Sequence, residues 1–235
     1  MIFSDRGFPL IADNPSGLCP YGSFKEFMKI TITASTIRAA SIAAASKDLR
    51  YYLVGVHVAI AHHEHATVYG TDGHILFAGR ARYESLTNEP MQGLAITIPL
   101  ETVKKCDKKA DVFVLESLSD GAYMIDGMRF MPIDGRFPDV QRVITRIDQV
   151  QPVEASFVDP ELQVRGQAAM ALHYGDIKGT NYPMLQQGTS AALIHNGQND
   201  AVCVVMSMRK ENLAYQGFQF DLPAPIMAEP HLKAA

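Results

Sequence analysis

MKITIT at residues 28–33 runs without a break into ASTIRAASIAAASK at 34–47, and this junction decides how the chain reads. The first string alternates and is rich in β-branched residues, the pattern of a strand. The second places Ile37, Ala40, Ile42 and Ala44 at helical spacing behind Ser35, a candidate N-cap, in a run rich in the best helix former. YYLVGVHVAIAH (51–62), ATVYGT (66–71) and HILFAGRARYE (74–84) then read as three strands, with short turns at His63-Glu64 and Asp72-Gly73. The unit is βαβββ.

The same order recurs twice. LAITIP (94–99) is a strand, LETVKKCDKK (100–109) a helix, and DVFVLES (111–117), AYMID (122–126) and MRFMPI (128–133) are strands. In the third copy VEASFV (153–158) is a strand, and DPELQVRGQAAMALHY (159–174) a helix with Asp159 as N-cap and Pro160 at its first position. IKGTNYPML (177–185), SAALIHNG (190–197) and DAVCVVMSMR (200–209) complete it as strands. The copies match in element order, not in residue identity. The chain therefore divides into an irregular arm at 1–27, two units at 28–145, a third at 146–210 and a tail at 211–235. The class is α+β. One such unit cannot bury its sheet and helix alone and must pair with another.

Composition limits function. The chain has 235 residues, 47% apolar and 20% charged, with a net charge of −4. No stretch approaches the roughly 20 apolar residues of a membrane helix. Asp5 and Arg6 stand where a signal peptide needs an apolar core, and Cys19, Cys106 and Cys203 are few and scattered, so a cytoplasmic protein without membrane partners is expected. A protein that wraps nucleic acid by bulk attraction is usually basic, so if this chain handles DNA its positive charge must be local. No GxxxxGK[ST] or GxSxG string exists, and no enzymatic activity or cofactor is expected. His62, His63 and His65 lie at a hairpin turn, where His62 and His63 point to opposite faces and no fourth ligand is evident, so no metal is expected.

Four strings carry a resemblance. DLRYYLVGV (48–56), TDGHILFA (71–78), IDGRFPDVQRVI (133–144) and VVMSMR (204–209) resemble, in order and spacing, segments of the β sliding clamp of bacterial DNA polymerase III. The match covers about 28–145, like that family's middle domain, and 153–209, like the second half of its last domain. Ile75 stands where the family motif has arginine and Ser207 where it has proline. The resemblance implies the DNA-clamp fold, with helices lining a ring and sheets outside. It implies a non-enzymatic processivity factor that encircles double-stranded DNA, is opened by a clamp loader and tethers a DNA polymerase.

The resemblance also implies two sites. Basic residues on the helices and the loop after the first helix would face phosphates: Arg38, Lys47, Arg50, Tyr52, Lys104, Lys105, Lys108 and Arg165, with Lys109 beside them. A pocket for a partner's short peptide would be lined by Leu53, Thr71, His74, Leu76, Pro138, Val143, Val204, Met206 and Met208. Apolar walls suit a leucine and an aromatic, and methionines adapt to varied clients. In the tail, Gln219, Phe220, Asp221, Leu222 and Pro223 resemble a clamp-binding peptide. The alternative function is thus a clamp-like protein that forms no ring and binds the host sliding clamp through this tail. Family rings contain twelve units and this chain supplies three, so a closed ring implies a homotetramer.

Overall fold

The computed structural model describes residues 28–61, 65–87, 93–144, 151–152, 158–176, 180–186 and 191–208. Strand β1 (Lys29–Thr33) passes directly into helix α1 (Ala34–Ala43), as the sequence implies. Thr33, not Ser35, is the N-cap, and it makes no side-chain capping bond; the amide of Ala34 instead donates to Asp111 O at 2.9 Å. The helix ends at Ala43 rather than near 47, because Ala44 is extended and Ala45 donates to Leu53 O. Residues Tyr51–Leu53 form a single 3-10 turn, so strand β2 begins only at Gly55 and runs to Ile60. A Cβ on Gly55 would lie 2.7 Å from Ile98 O, so only glycine lets these two strands meet there. Strands β3 (His65–Thr71) and β4 (Ile75–Ser85) complete the first unit.

The second unit is β5 (Leu94–Pro99), α2 (Leu100–Lys105), β6 (Val112–Ser117), β7 (Tyr123–Ile125) and β8 (Met128–Phe130). Helix α2 is shorter than expected. Asp107 draws its own segment into a turn: its Oδ1 accepts from the Lys109 amide and its amide donates to Asp126 Oδ2. Lys108 and Lys109 therefore lie beyond the helix, not on it. In the third unit the expected strand at 153–158 lies outside the described residues except for Val158; β9 (Gln151–Pro152) precedes it, and α3 (Pro160–Tyr174), β10 (Met184–Gln186), β11 (Ala192–Ile194) and β12 (Ala201–Val205) follow. Helix α3 is fully legible at both ends: Asp159 Oδ1 accepts from Glu161 N at 2.8 Å, Pro160 opens the helix, and Gly175 at φ 71° closes it. Strand β10 starts only after Pro183, which has no amide to give a ladder.

All pairings between these strands are antiparallel, and units one and two exchange their first strands. β1 keeps three residues on β4 of its own unit and also pairs with β6 over five residues, and β5 pairs with β2 over six. The third unit joins through β4. One edge of β4 pairs with β3; the other is shared between β1, at residues 83–85, and β12, from Val205 opposite Ile75 to Ala201 opposite Gly79. A continuous ladder β8-β7-β6-β1-β4-β12-β11-β10-β9 results.

Alternation along β4, β11 and β12 divides the side chains between two apolar cores. Ile75, Phe77, Ile194, Cys203 and Val205 join the main core with Ile37 and Ala40 of α1, Val103 of α2 and Met170 of α3. Leu76, Ala78, Leu193, Val202 and Val204 face the other way and meet Phe137 and Val140. Both faces of these strands are thus buried, and each fully enclosed leucine or valine contributes about 2 kcal/mol.

Candidate functional site

The strand-to-strand junction between β4 and β12 carries chemistry on both faces. On the outer face, residues 131–144 cross the sheet as a strap. Phe137 anchors it: its ring lies parallel to His57 at 4.7 Å between centroids, and Tyr69 lies 6.2 Å away. His57 Nδ1 meets Thr97 Oγ1 at 3.0 Å, and burial holds the imidazole down to about 4. Val140 closes over Leu76, Leu193 and Val204.

Of the nine residues expected in the partner pocket, Leu76 and Val204 form this outer floor. Pro138, Val143 and Met206 stand exposed around it, Val143 and Met206 by 50% and 52%, and Met208 is half-buried. His74 is exposed, and its carbonyl accepts from Met206 N at 2.8 Å, which fixes the two chains side by side. Thr71 is spent on its own turn: its hydroxyl donates to Ile75 O at 2.7 Å and accepts from Gly73 N at 3.0 Å. Leu53 is buried but belongs to neither core cluster. Sequence reasoning missed Phe137, Val140, Leu193, Val202 and Tyr69. The signal was present: ILFA (75–78) and AVCVV (201–205) are apolar at both parities, which marks a strand covered on both sides.

On the helix side a cleft of about 530 Å³ collects four of the eight expected basic-face residues, Lys47, Arg50, Lys104 and Arg165, together with Asp48, Asp72 and Glu161. Most of these cations have partners. Arg50 binds both oxygens of Asp48, at 3.0 and 2.8 Å, and this pairing holds the Asp48 carboxyl down at about 2. Arg165 binds Asp72 and the carbonyl of Ile42, and Lys104 reaches Glu101 at 3.1 Å. Arg38 donates to Asp107 O and lies over the Phe113 ring at 5.5 Å, where it bridges units one and two. Among the described residues Lys47, Lys105, Lys108 and Lys109 are exposed and make no ion pair. Tyr52 is half-buried against Tyr51, beside Gly135 of the strap.

Gln219, Phe220, Asp221, Leu222 and Pro223 lie outside the described residues, as do His62 and His63. Among the described residues no cluster of His, Cys, Asp or Glu is suited to a metal, and no helix is long and apolar enough to cross a membrane. Cys106 and Cys203 are buried free thiols; burial pushes Cys106 up to about 11.

No protein-family model matches the sequence, and a search of curated proteins finds none similar to it. Solved structures do match. The DNA polymerase III subunit beta from Pseudomonas aeruginosa is 17% identical with a TM-score of 0.54, over 86% of this chain and 69% of that one. The same organism's DNA polymerase sliding clamp matches at 17% and 0.53, over 77% and 67%. A sliding clamp from Bartonella birtlesii, bound to griselimycin, matches at 17% and 0.51. The alignments span about two thirds of the length of those clamps. Strand exchange between units, a ladder that continues across their junction and these likenesses agree: the chain has the fold of the bacterial DNA polymerase sliding clamps.

Proposed function

We propose that this chain is a non-catalytic sliding clamp that closes as a homotetrameric ring around duplex DNA and holds a DNA polymerase at its outer groove. Residues 28–145 serve as one two-unit domain and 146–210 as a half-domain. The observation that carries this reading is the β4–β12 ladder. It gives a wall of backbone hydrogen bonds from one unit to the next, with α1 and α3 behind it and an apolar groove in front. A ring under tension needs such a wall, and a partner's leucine and aromatic side chains need such a groove. The free lysines at 47, 105, 108 and 109 supply local positive charge on an acidic chain, enough for attraction to phosphates without base readout. Tethering raises the polymerase's effective concentration at the primer end, so a dissociated enzyme rebinds before it diffuses away. A loader ATPase opens the ring.

The test is retention on DNA. Loaded onto a nicked circular plasmid and passed through a sizing column in high salt, the protein is expected to stay with the circle and to leave once the plasmid is cut. Equal retention on circular and linear DNA would overturn encirclement.

A further inference from the structure

Units one and two close on each other by a reciprocal trade: β1 fills the edge beside β6, and β5 fills the edge beside β2. Unit three repeats the layout but has no unit to trade with. Val158 bridges to Ser207, just past β12, as Ile30 of β1 pairs with Ser85 at the end of β4. The edge of β10 matches the edge of β2 that β5 covers over six residues. Among the described residues that edge of β10 holds only Gln151 and Pro152.

The helix tells the same story. α3 lies against α1 on one side, where Arg165 reaches Ile42 O and Ser35 reaches His173 O. Gly166 and Met170 turn to the core. Its remaining side carries Val164, 68% exposed, and Ala168, with no basic residue between Glu161 and Gly175 on that face. Bare apolar helix is poorly suited to phosphates and well suited to another helix. His195, at the end of β11, is also incompletely satisfied: its Nδ1 accepts from Gly197 N, and its buried Nε2 has no hydrogen-bond partner among the described residues.

From these observations we infer that the occupant of this face is a second copy of unit three. Two chains meet about a two-fold axis, set their β10 edges toward each other and pack α3 against α3 at Val164 and Ala168. The pairing that units one and two make within a chain is made here between chains. The resulting dimer is an arc of three two-unit domains with an open β8 edge at each end. This deepens the clamp reading by naming the partner and the surface, and it rests on the β10 edge and the bare face of α3 rather than on encirclement.

The experiment is light scattering on the full chain, with Ala168→Arg and Ala168→Ser as variants. Position 168 is exposed in the single chain, so both variants keep the fold, which circular dichroism checks. The wild-type mass is expected to be an even multiple of the chain. Ala168→Arg is expected to halve it, and Ala168→Ser to leave it unchanged. A trimeric or monomeric wild type, or a mass that Ala168→Arg does not change, overturns the inference. If that happens while circular DNA still retains the protein, the clamp reading stands. If the mass halves as expected but circular DNA is not retained, the two-fold contact stands and the clamp reading falls.

Discussion

Arg165 Nη1 of α3 lies 2.8 Å from Asp72 Oδ2 in the β3–β4 turn, 93 residues earlier in the chain. The other oxygen of Asp72 accepts from the amides of His74 and Ile75, at 2.8 and 3.0 Å, and Arg165 Nη2 donates to Ile42 O at 2.9 Å. One carboxylate therefore holds a turn of unit one and a helix of unit three together, directly behind the β4–β12 ladder. The pair is partly buried, with side-chain exposures of 30% and 17%. Arg165→Ala removes the guanidinium bound to the Asp72 carboxylate and is expected to cost about 2 kcal/mol. Asp72→Asn keeps the turn bonds, because an amide oxygen also accepts, and is expected to cost about half as much. Urea unfolding of each variant gives the two values, and hydrogen exchange on β12 is expected to quicken more in Arg165→Ala.

This pair also shows where reading the sequence stops. Unit order, the strand exits into helices and both caps of α3 are local patterns, and they are legible. So is the Thr71-Asp72-Gly73 turn, where Gly73 takes φ 93° and a Cβ would lie 3.0 Å from the Arg50 guanidinium. Arg165 looks in sequence like a solvated cation, and only tertiary contact reveals its carboxylate, whereas Arg50 finds Asp48 two residues away. The ends of α1 and α2 are hidden for a related reason: the bonds that stop them, Ala45 to Leu53 and Asp107 to Asp126, come from residues 8 and 19 positions away. The closeness of α1 to β3 has a faint sign in the glycine at 70, where a Cβ would lie 1.9 Å from Ala40 O.

The outer groove separates binding from stability. Val143 and Met206 are half exposed in the free chain, so Val143→Glu and Met206→Glu are expected to change its stability by less than about 0.5 kcal/mol. Each places a charge at an apolar rim and is expected to weaken a leucine- and aromatic-bearing peptide at least tenfold, or about 1.4 kcal/mol. Leu193→Ala removes part of the buried floor and is expected to cost about 3 kcal/mol of stability. Fluorescence anisotropy with a labelled peptide, set beside urea melts, distinguishes the two classes.

His57 gives the strap a pH dependence. Burial lowers its folded value to about 4, while the unfolded chain titrates near 6.5. The unfolded state therefore binds more protons between those values, and stability falls as pH drops through that window. From pH 7 to pH 5 the loss due to this residue is expected to be roughly 2 kcal/mol. His57→Phe, which keeps a ring against Phe137, is expected to flatten that part of the profile. An unchanged slope in the variant would assign the acid sensitivity to other groups, of which His173 and His195 are also held down by burial.

The lysines divide by whether a carboxylate already neutralises them. Lys105 and Lys108 are exposed and make no ion pair among the described residues, whereas Lys104 sits 3.1 Å from Glu101. A free lysine that meets a phosphate releases about one counterion, so its loss lowers the slope of log affinity against log salt by about 0.9. A lysine paired in the free protein first gives up its carboxylate and contributes less. Lys105→Ala and Lys108→Ala are therefore each expected to reduce the salt slope by close to one unit, and Lys104→Ala by less than half a unit. Equal slopes for all three would mean that the ion pair to Glu101 opens on DNA at negligible cost. No change in any of them would move the phosphate contacts off this helix and its following turn.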